Sequence, residues 1–327
     1  MLDVRRREFI TLLGGAAAAW PLAARAQEPG RLYRISTLHQ APHDAPQHLA
    51  FFAEMHRLGF IEGQNLVVDR RGYGLRVEQF SEFARDQVKA QVDVIVCGGE
   101  AASRAAQQAT ATIPLIILVD DALRAGLVRS LAKPEGNVTG VSILASELDG
   151  KRQEILVEAV PGLRHMAALV DPGSTTVPQA QALQDAARAR GIKLSIYELT
   201  KREDIAPAIV AAKASGAAAL NVLASALFFN NRQIVFERVA ALRLPAIYQW
   251  PEMAEQEGLF GYGPRLVQLY RDVMSRQVVK VLRGAKPADI PVEQPTRFEL
   301  VINLKVAKGI GHEVPAGLVL RADKVIE

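Results

Sequence analysis

The residues with the clearest capacity for chemistry follow apolar segments of strand length. His39 comes after the first such segment, and Gly98, Gly99 and Glu100 come after the segment at 92–97. Glycine lets a ligand approach the backbone, and a helix that begins there offers free amides to an anion. The same glycines also suit an ordinary turn from strand to helix. Both interpretations stand, and they make this turn a candidate ligand contact.

Three histidines lie close together in the sequence. His39, His43 and His48 could ligate a metal, or they could belong to a loop that leads into a helix. We favour the loop, because their spacing does not put all three side chains on one helix face. Beyond residue 26 there is no Walker, GxGxxG, HExxH or GxSxG motif. We therefore predict no catalytic residues, no metal, no cofactor and no enzyme activity. An enzyme using Glu100 with His39 remains the rival hypothesis.

The elements that must position these residues alternate between strand and helix. Helix-length amphipathic segments cover 45–58, 77–90 and 100–110, each between apolar strand-length runs. The same order recurs over 164–249, where a long helix is expected at about 228–242. This pattern predicts an α/β fold of two doubly wound parallel-sheet lobes, joined by a hinge. Ligands of such sheets bind at the carboxyl ends of the strands, so the cleft between the lobes is the predicted site.

The predicted boundaries follow from this repeat. Residues 120–150 and 249–265 are expected to connect the lobes, and a long helix is expected over 264–284. The N-terminal lobe is expected to comprise 27–142 and about 250–285. The C-terminal lobe is expected to comprise 143–249 and about 286–327.

The first 26 residues read as an export signal. Arg6 and Arg7 precede a short apolar stretch, and an Ala-x-Ala sequence ends at Ala26. This order is typical of a secretory signal peptide, and the arginine pair resembles the twin-arginine type. We expect cleavage after Ala26 and a periplasmic protein; the alternative is a leader retained in the cytoplasm. The single cysteine, Cys97, cannot form an internal disulfide and is expected in the core.

Several stretches together resemble one protein family. The resemblance is carried, in order, by LGFIEGQNL (58–66), VDVIVCGG (92–99), AGLVRSLAKPEGNVTGVS (125–142), GKRQEILVEAVPGL (150–163), LRLPAIY (242–248) and GAKPADIPVEQPTRFELVINLKVAKGIG (284–311). The chain is similar to ABC-type solute-binding proteins of the tryptophan and tyrosine type, which have a type I periplasmic-binding fold. The resemblance implies an importer component that captures a small organic solute, such as an amino acid or an aromatic carboxylate compound.

The partners expected from this resemblance are the solute and a membrane permease. A periplasmic sensor that presents its ligand to a receptor shares the fold and remains an alternative. We expect a monomer, because a moving two-lobed clamp gains nothing from a large fixed interface. Nucleic-acid binding is excluded, because the body of the chain balances its charges and has no run of Lys and Arg.

The resemblance also implies site residues in both lobes. Asp121 matches the family's Asp and could bind a ligand ammonium or cap a helix. Asp171 stands at the family's Asn-Pro, Ser225 stands where many relatives have Asp, and Glu100 replaces a small hydroxyl residue. Further along, the chain offers possible cleft contacts that could equally be core residues. These are Tyr248, Trp250, Glu252 and Tyr262.

Overall fold

The computed structural model describes residues 30–327, except for the side chains of residues 145 and 146. The predicted leader at 1–26 lies outside the described residues. Within the described range, every helix is too short or too polar to cross a membrane.

The first sheet has five parallel strands in the order β2-β1-β3-β4-β5. Its strands are β1 (Tyr33–Leu38), β2 (Leu66–Asp69), β3 (Val94–Gly98), β4 (Leu115–Val119) and β5 (Val138–Ser142). The crossover helices are α1 (Pro46–Arg57), α2 (Phe80–Lys89) and α3 (Glu100–Ala109). The central strands β3 and β4 are buried along nearly their whole length, since helices cover both faces. This confirms the first predicted strand–helix repeat.

The second sheet has seven strands in the order β12-β11-β10-β9-β8-β6-β7. Only β10 and β11 are antiparallel to each other among its described strand pairs. Its strands are β6 (His165–Val170), β7 (Lys193–Glu198), β8 (Leu220–Val222), β9 (Ala246–Tyr248), β10 (Phe260–Gly263), β11 (Glu299–Asn303) and β12 (Lys324–Ile326). Two doubly wound sheets in one chain confirm the predicted fold class.

Helices of this second lobe include two that the periodicity did not separate. The helix expected at 228–242 is two helices that meet at Asn231, which ends one and precedes the next. The helices are α4 (Ala145–Ala159), α5 (Val177–Ala189), α6 (Ile205–Ala214), α7 (Ala226–Asn230), α8 (Arg232–Ala241), α9 (Pro251–Gln256), α11 (Leu304–Ile310) and α12 (Ala316–Val319).

The chain returns to the first lobe later than the sequence suggests. The segment at 249–265, expected as a connection, contains α9 and β10, and β10 pairs with β9 and β11 in the second sheet. Phe260 is fully buried there, which favours a strand in the core over an exposed crossing. The expected return at about 250 is therefore too early.

Residues beyond Gly263 form the part that rejoins the first lobe. Three helical stretches, Leu266–Gln268, Leu269–Met274 and Ser275–Leu282, follow one another without a break and together are α10. The middle stretch is π-helical. Gln277 donates to the carbonyl of Gly140 at 3.0 Å, and Thr139 donates to the carbonyl of Ile290 at 2.7 Å. These bonds attach α10 and its C-terminal extension to β5 of the first sheet.

Candidate functional site

A cleft lies where the carboxyl ends of the two sheets face each other. Its first wall comes from the loops after β1, β3 and β4, and its second wall comes from the loops after β8 and β9. Leu266 and Tyr270 of α10 also line it. The position is the one expected for ligands of parallel sheets.

His39 and the glycine pair form one side of the first wall. A Cβ atom at Gly98 would lie 2.1 Å from Nδ1 of His39, so only glycine leaves room for this buried ring. Gly99 has a φ of +94° and precedes α3, where Ser103 donates the first helical bond to the Gly99 carbonyl. The amides of the first turn of α3 therefore have no acceptor within the helix. The structure brings His39, Gly98, Gly99 and Glu100 together at the cleft.

The Glu100 carboxylate is held by two arginines. Oε1 accepts from Arg104, one helical turn away, at 2.8 Å. Oε2 accepts from Arg124 at 3.3 Å. The negative charge at this edge of the cleft is therefore paired within the protein, although Glu100 itself lines the cleft.

The histidines form an aromatic cluster behind the cleft. The rings of His39 and His48 lie 4.6 Å apart, and Tyr73 and Tyr270 pack against both. His48 Nδ1 donates to the carbonyl of Pro42 at 2.8 Å. Burial lowers the pKa of His48 to about 4 and lowers that of His39 well below its usual value. Within residues 30–327, no set of three or more His, Cys, Asp or Glu side chains is placed to hold a metal.

Of the two aspartates after β4, Asp120 is the one that lines the cleft. Asp121 Oδ1 accepts from the amides of Leu123 and Arg124, both at 3.0 Å, so it holds the turn instead. The carboxylate of Asp120 accepts no hydrogen bond from the described residues. Burial, aided by the nearby Asp149, raises the pKa of Asp120 to about 7. The sequence favoured Asp121 because it matches the family's Asp, although Asp120 follows the same strand directly.

In the second wall, Ser225 lines the cleft and Asp171 supports it from behind. Ser225 Oγ donates to Asp171 Oδ2 at 2.5 Å and accepts from the amide of Leu227 at 2.9 Å, as the N-cap of α7. Asp171 also accepts from the amide of Gly173 at 2.9 Å. Asp171 does not line the cleft; it orients Ser225, which does.

Among the aromatic candidates, Trp250 lines the cleft and Tyr248 does not. Trp250 packs edge-on against Phe229, with ring centroids 6.3 Å apart, and Phe229 lines the same cavity. Tyr248 is fully buried in β9, where it packs against Phe236. A strand covered by helices on both faces places such a ring in the core.

Two further candidates also lie away from the cleft. Glu252 accepts from the amide of Val267 at 3.3 Å, and burial raises its pKa. The Tyr262 ring packs near Phe298, at 6.5 Å between centroids. Glu252 thus links α9 to the start of α10, Tyr262 packs beside the residue that precedes β11, and neither side chain lines the cavity.

Several amide side chains complete the cleft. Gln40 follows His39 directly, and its Oε1 accepts from Nδ2 of Asn230 in the second lobe at 2.5 Å. Gln249 precedes Trp250 and also lines the cavity. Gln40 and Gln249 could have been found from their places beside predicted contacts. Asn230 and Tyr270 could not, because helix ends and a π-helical turn set their directions.

Comparison with known proteins agrees with this architecture. The family model described as ABC transporter substrate binding protein matches residues 55–326. The tyrosine-binding protein of Clostridioides difficile is 24% identical over 279 residues, which are 84% of this chain and 79% of that protein.

Solved structures also share the fold. A conserved domain protein from Vibrio cholerae superposes with a TM-score of 0.81 at 23% identity, covering 90% of this chain and all of that one. An ABC domain from Streptococcus pneumoniae, solved in complex with L-Trp, has a TM-score of 0.78 at 22% identity with the same coverage.

Proposed function

Because the chain belongs to the ABC transporter substrate-binding protein family, we propose that it captures a small organic solute in its cleft for an importer. The solute is of the size and type of an amino acid or an aromatic carboxylate compound. The observation that carries the proposal is one cavity with walls from both lobes, at the strand ends of both sheets.

Two contacts across the cleft support capture by closure. Arg124 Nη2 donates to the main-chain carbonyl of Ser174 at 3.3 Å, and Asn230 donates to Gln40 at 2.5 Å. Each contact joins a residue of the first lobe to a residue of the second. A solute that fills the space between them would stabilise the closed arrangement, because closure buries it on all sides. The binding residues in this proposal are His39, Gly98, Gly99, Glu100, Asp120, Ser225 and Trp250.

A thermal-shift screen tests this function. The protein from Gln27 onward is freed of bound solute by unfolding and refolding, then melted with amino acids, aromatic acids and amines. A solute that binds only the folded state adds about 2.7 kcal/mol of stability at a hundredfold excess over its Kd. Trp250→Leu should abolish the shift. The control Tyr197→Leu, on β7 outside the cleft, should keep it.

The fate of the solute separates binding from catalysis. Mass spectrometry should recover the stabilising solute unchanged after prolonged incubation. A solute consumed at the cleft would replace the binding proposal with an enzyme, and no shift across the panel would overturn solute capture.

The cellular part of the proposal is export and delivery to a membrane permease, by a protein that works as a monomer. Fractionation and intact mass of the native protein should show a periplasmic chain that begins at Gln27. Uptake of the solute should require the permease and be lost when this protein is deleted.

A further inference from the structure

The cleft is lined by acidic side chains without basic ones. Glu100 and Asp120 are the charged residues among its described lining, and no Lys or Arg lines it. Glu100 is neutralised by Arg104 and Arg124. Asp120 lines the cavity, and its carboxylate accepts no hydrogen bond from the described residues. The wall therefore presents an acceptor and a negative charge to the ligand.

The cations near Asp120 are Arg124 and Arg152, and each forms its ion pair with another carboxylate. Behind it lie Asp149 and Arg152 of α4, both almost fully buried, with Arg152 Nη2 3.1 Å from Asp149 Oδ1. This guanidinium pairs with Asp149 and acts on Asp120 only through its field. Arg124 is the next cation, and its Nη2 is engaged by Glu100 and by the Ser174 carbonyl.

Aromatic and aliphatic side chains also line the cavity. Trp250, Phe229 and Tyr270 provide ring faces and edges, and Ile143 and Leu118 add aliphatic surface. Gln249 adds a second acceptor, because its buried Oε1 accepts no hydrogen bond from the described residues. A cation beside aromatic rings gains further attraction from their faces.

An anionic group has a poorer place in this cleft. The amides at the start of α3 are its natural site, but Glu100 carries its own carboxylate in that same turn. The opposite lobe also approaches closely there: a Cβ built on Gly99 would lie 3.8 Å from Cβ of Ala226. A ligand carboxylate would meet this narrow gap, with Glu100 already occupying the side-chain cations beside it.

Resting on the proposed function, we propose that the cleft recognises an aromatic or apolar amine, with its ammonium group donated to Asp120, and that a ligand carboxylate is not required. The amine thus defines the class of ligand. An amino acid binds through its ammonium group and its apolar side chain, and its carboxylate adds nothing.

Three compounds with the same phenyl ring test this proposal. 2-Phenylethylamine carries the amine, 3-phenylpropionate carries the carboxylate, and L-phenylalanine carries both. Isothermal titration at pH 8 should show the amine binding as tightly as the amino acid or better, and no binding of the acid. Asp120→Asn should weaken the amine at least about tenfold, which is 1.4 kcal/mol. Asp185→Asn, an exposed aspartate of α5, should leave it unchanged.

The opposite results would overturn the amine class. These are binding of 3-phenylpropionate, an amino acid more than about tenfold tighter than the amine, or an Asp120→Asn variant that is folded by circular dichroism and keeps its affinity. Each of them leaves solute capture standing. The absence of heat from all three compounds also overturns the amine class, whereas solute capture falls only if the broad thermal-shift panel fails as well.

Discussion

The Arg124 guanidinium lies between the two lobes and reaches both: Nη2 is 3.3 Å from Glu100 Oε2 and 3.3 Å from the main-chain carbonyl of Ser174. Glu100 begins α3 of the first lobe, and Ser174 follows β6 of the second. The contact to Ser174 can exist only when the lobes are close. One nitrogen of Arg124 thus pairs with Glu100 within the first lobe and also bridges to the second lobe.

Loss of the hydrogen bond between Arg124 and Ser174 should change the Kd for the solute more than it changes the free energy of unfolding. Arg124→Met loses one hydrogen bond across the cleft, worth about 0.6–1 kcal/mol at a partly exposed site. We expect a threefold to fivefold increase, roughly, in the Kd of any solute found in the screen. The free energy of unfolding without solute should change by less than about 0.5 kcal/mol.

Arg129→Met is the matched control. Arg129 is highly exposed and lies 3.8 Å from the exposed Glu135. Its Kd should equal that of the wild type. An Arg124→Met variant that binds as tightly as this control would show that the Arg124 bridge contributes nothing to closure.

The Asp120 carboxyl should make stability depend on pH in a defined direction. Its folded pKa of about 7 lies above the unfolded value, near 3.9. Between these values the folded state binds more protons, so the stability contributed by Asp120 falls as pH rises from 4 to 7. Asp120→Asn has no titrating carboxyl here and does not lose this stability. The free energy of unfolding of the variant, minus that of the wild type, should therefore grow by about 2 kcal/mol between pH 4 and pH 7.

Urea titrations at several pH values measure this advantage. Because histidines titrate over part of the same range, the difference between variant and wild type is the informative quantity. Asp185→Asn should show no such trend. A difference for Asp120→Asn that does not change between pH 4 and 8 would mean that burial of Asp120 does not disfavour its charge.

The buried ion pair in α4 should respond strongly to loss of one partner. Arg152 and Asp149 are about 1% and 6% exposed at their side chains. Arg152→Met would leave Asp149 buried without its cation, and we expect a loss of about 3–5 kcal/mol in the free energy of unfolding.

An exposed pair of the same type provides the comparison. Arg188 and Asp185 lie 2.9 Å apart on α5, with most of the Arg188 side chain in solvent. Arg188→Met should lose less than about 1 kcal/mol. Equal losses in urea denaturation of the two variants would contradict the structural importance of the Arg152 pair.

The sequence predicted the fold well because the strand and helix periods differ. Buried runs such as β3 and β4 are continuous and apolar, whereas α3 is amphipathic, so the repeat was visible without coordinates. The cleft followed, because parallel strands put their following loops at one edge. The strand β10 was missed, since a strand of four residues, two of them glycines, carries almost no periodic signal.

Individual side chains were harder to predict than the cleft. Asp120 and Asp121 are adjacent and identical, and only the turn conformation decides which of them caps and which faces the cavity. The direction of Glu100 depends on Arg124, which is 24 residues away. Tyr248 looks like a site aromatic because it ends a strand, but α8 covers it through Phe236.

The histidine cluster behind the cleft should make the protein sensitive to acid. The folded pKa of His48 is about 4, below the unfolded value near 6.5, because burial and the nearby His43 disfavour its charge. Between these values the unfolded state binds more protons, so this stability is complete above pH 6.5 and is lost as pH falls toward 4. His48→Asn keeps a donor for the Pro42 carbonyl but cannot titrate. The variant should lose about 2–3 kcal/mol less than the wild type between pH 6.5 and 4.

His56 supplies the control for this prediction, because it lies on the same helix and is exposed. His56→Asn should follow the wild-type curve in urea denaturation across the window. The two trends in this molecule have opposite signs, since Asp120 lowers stability and His48 raises it as pH increases. If the His48→Asn variant loses as much stability as the wild type between pH 6.5 and 4, other groups cause that loss. Among them is His39, whose ring lies 4.6 Å from that of His48.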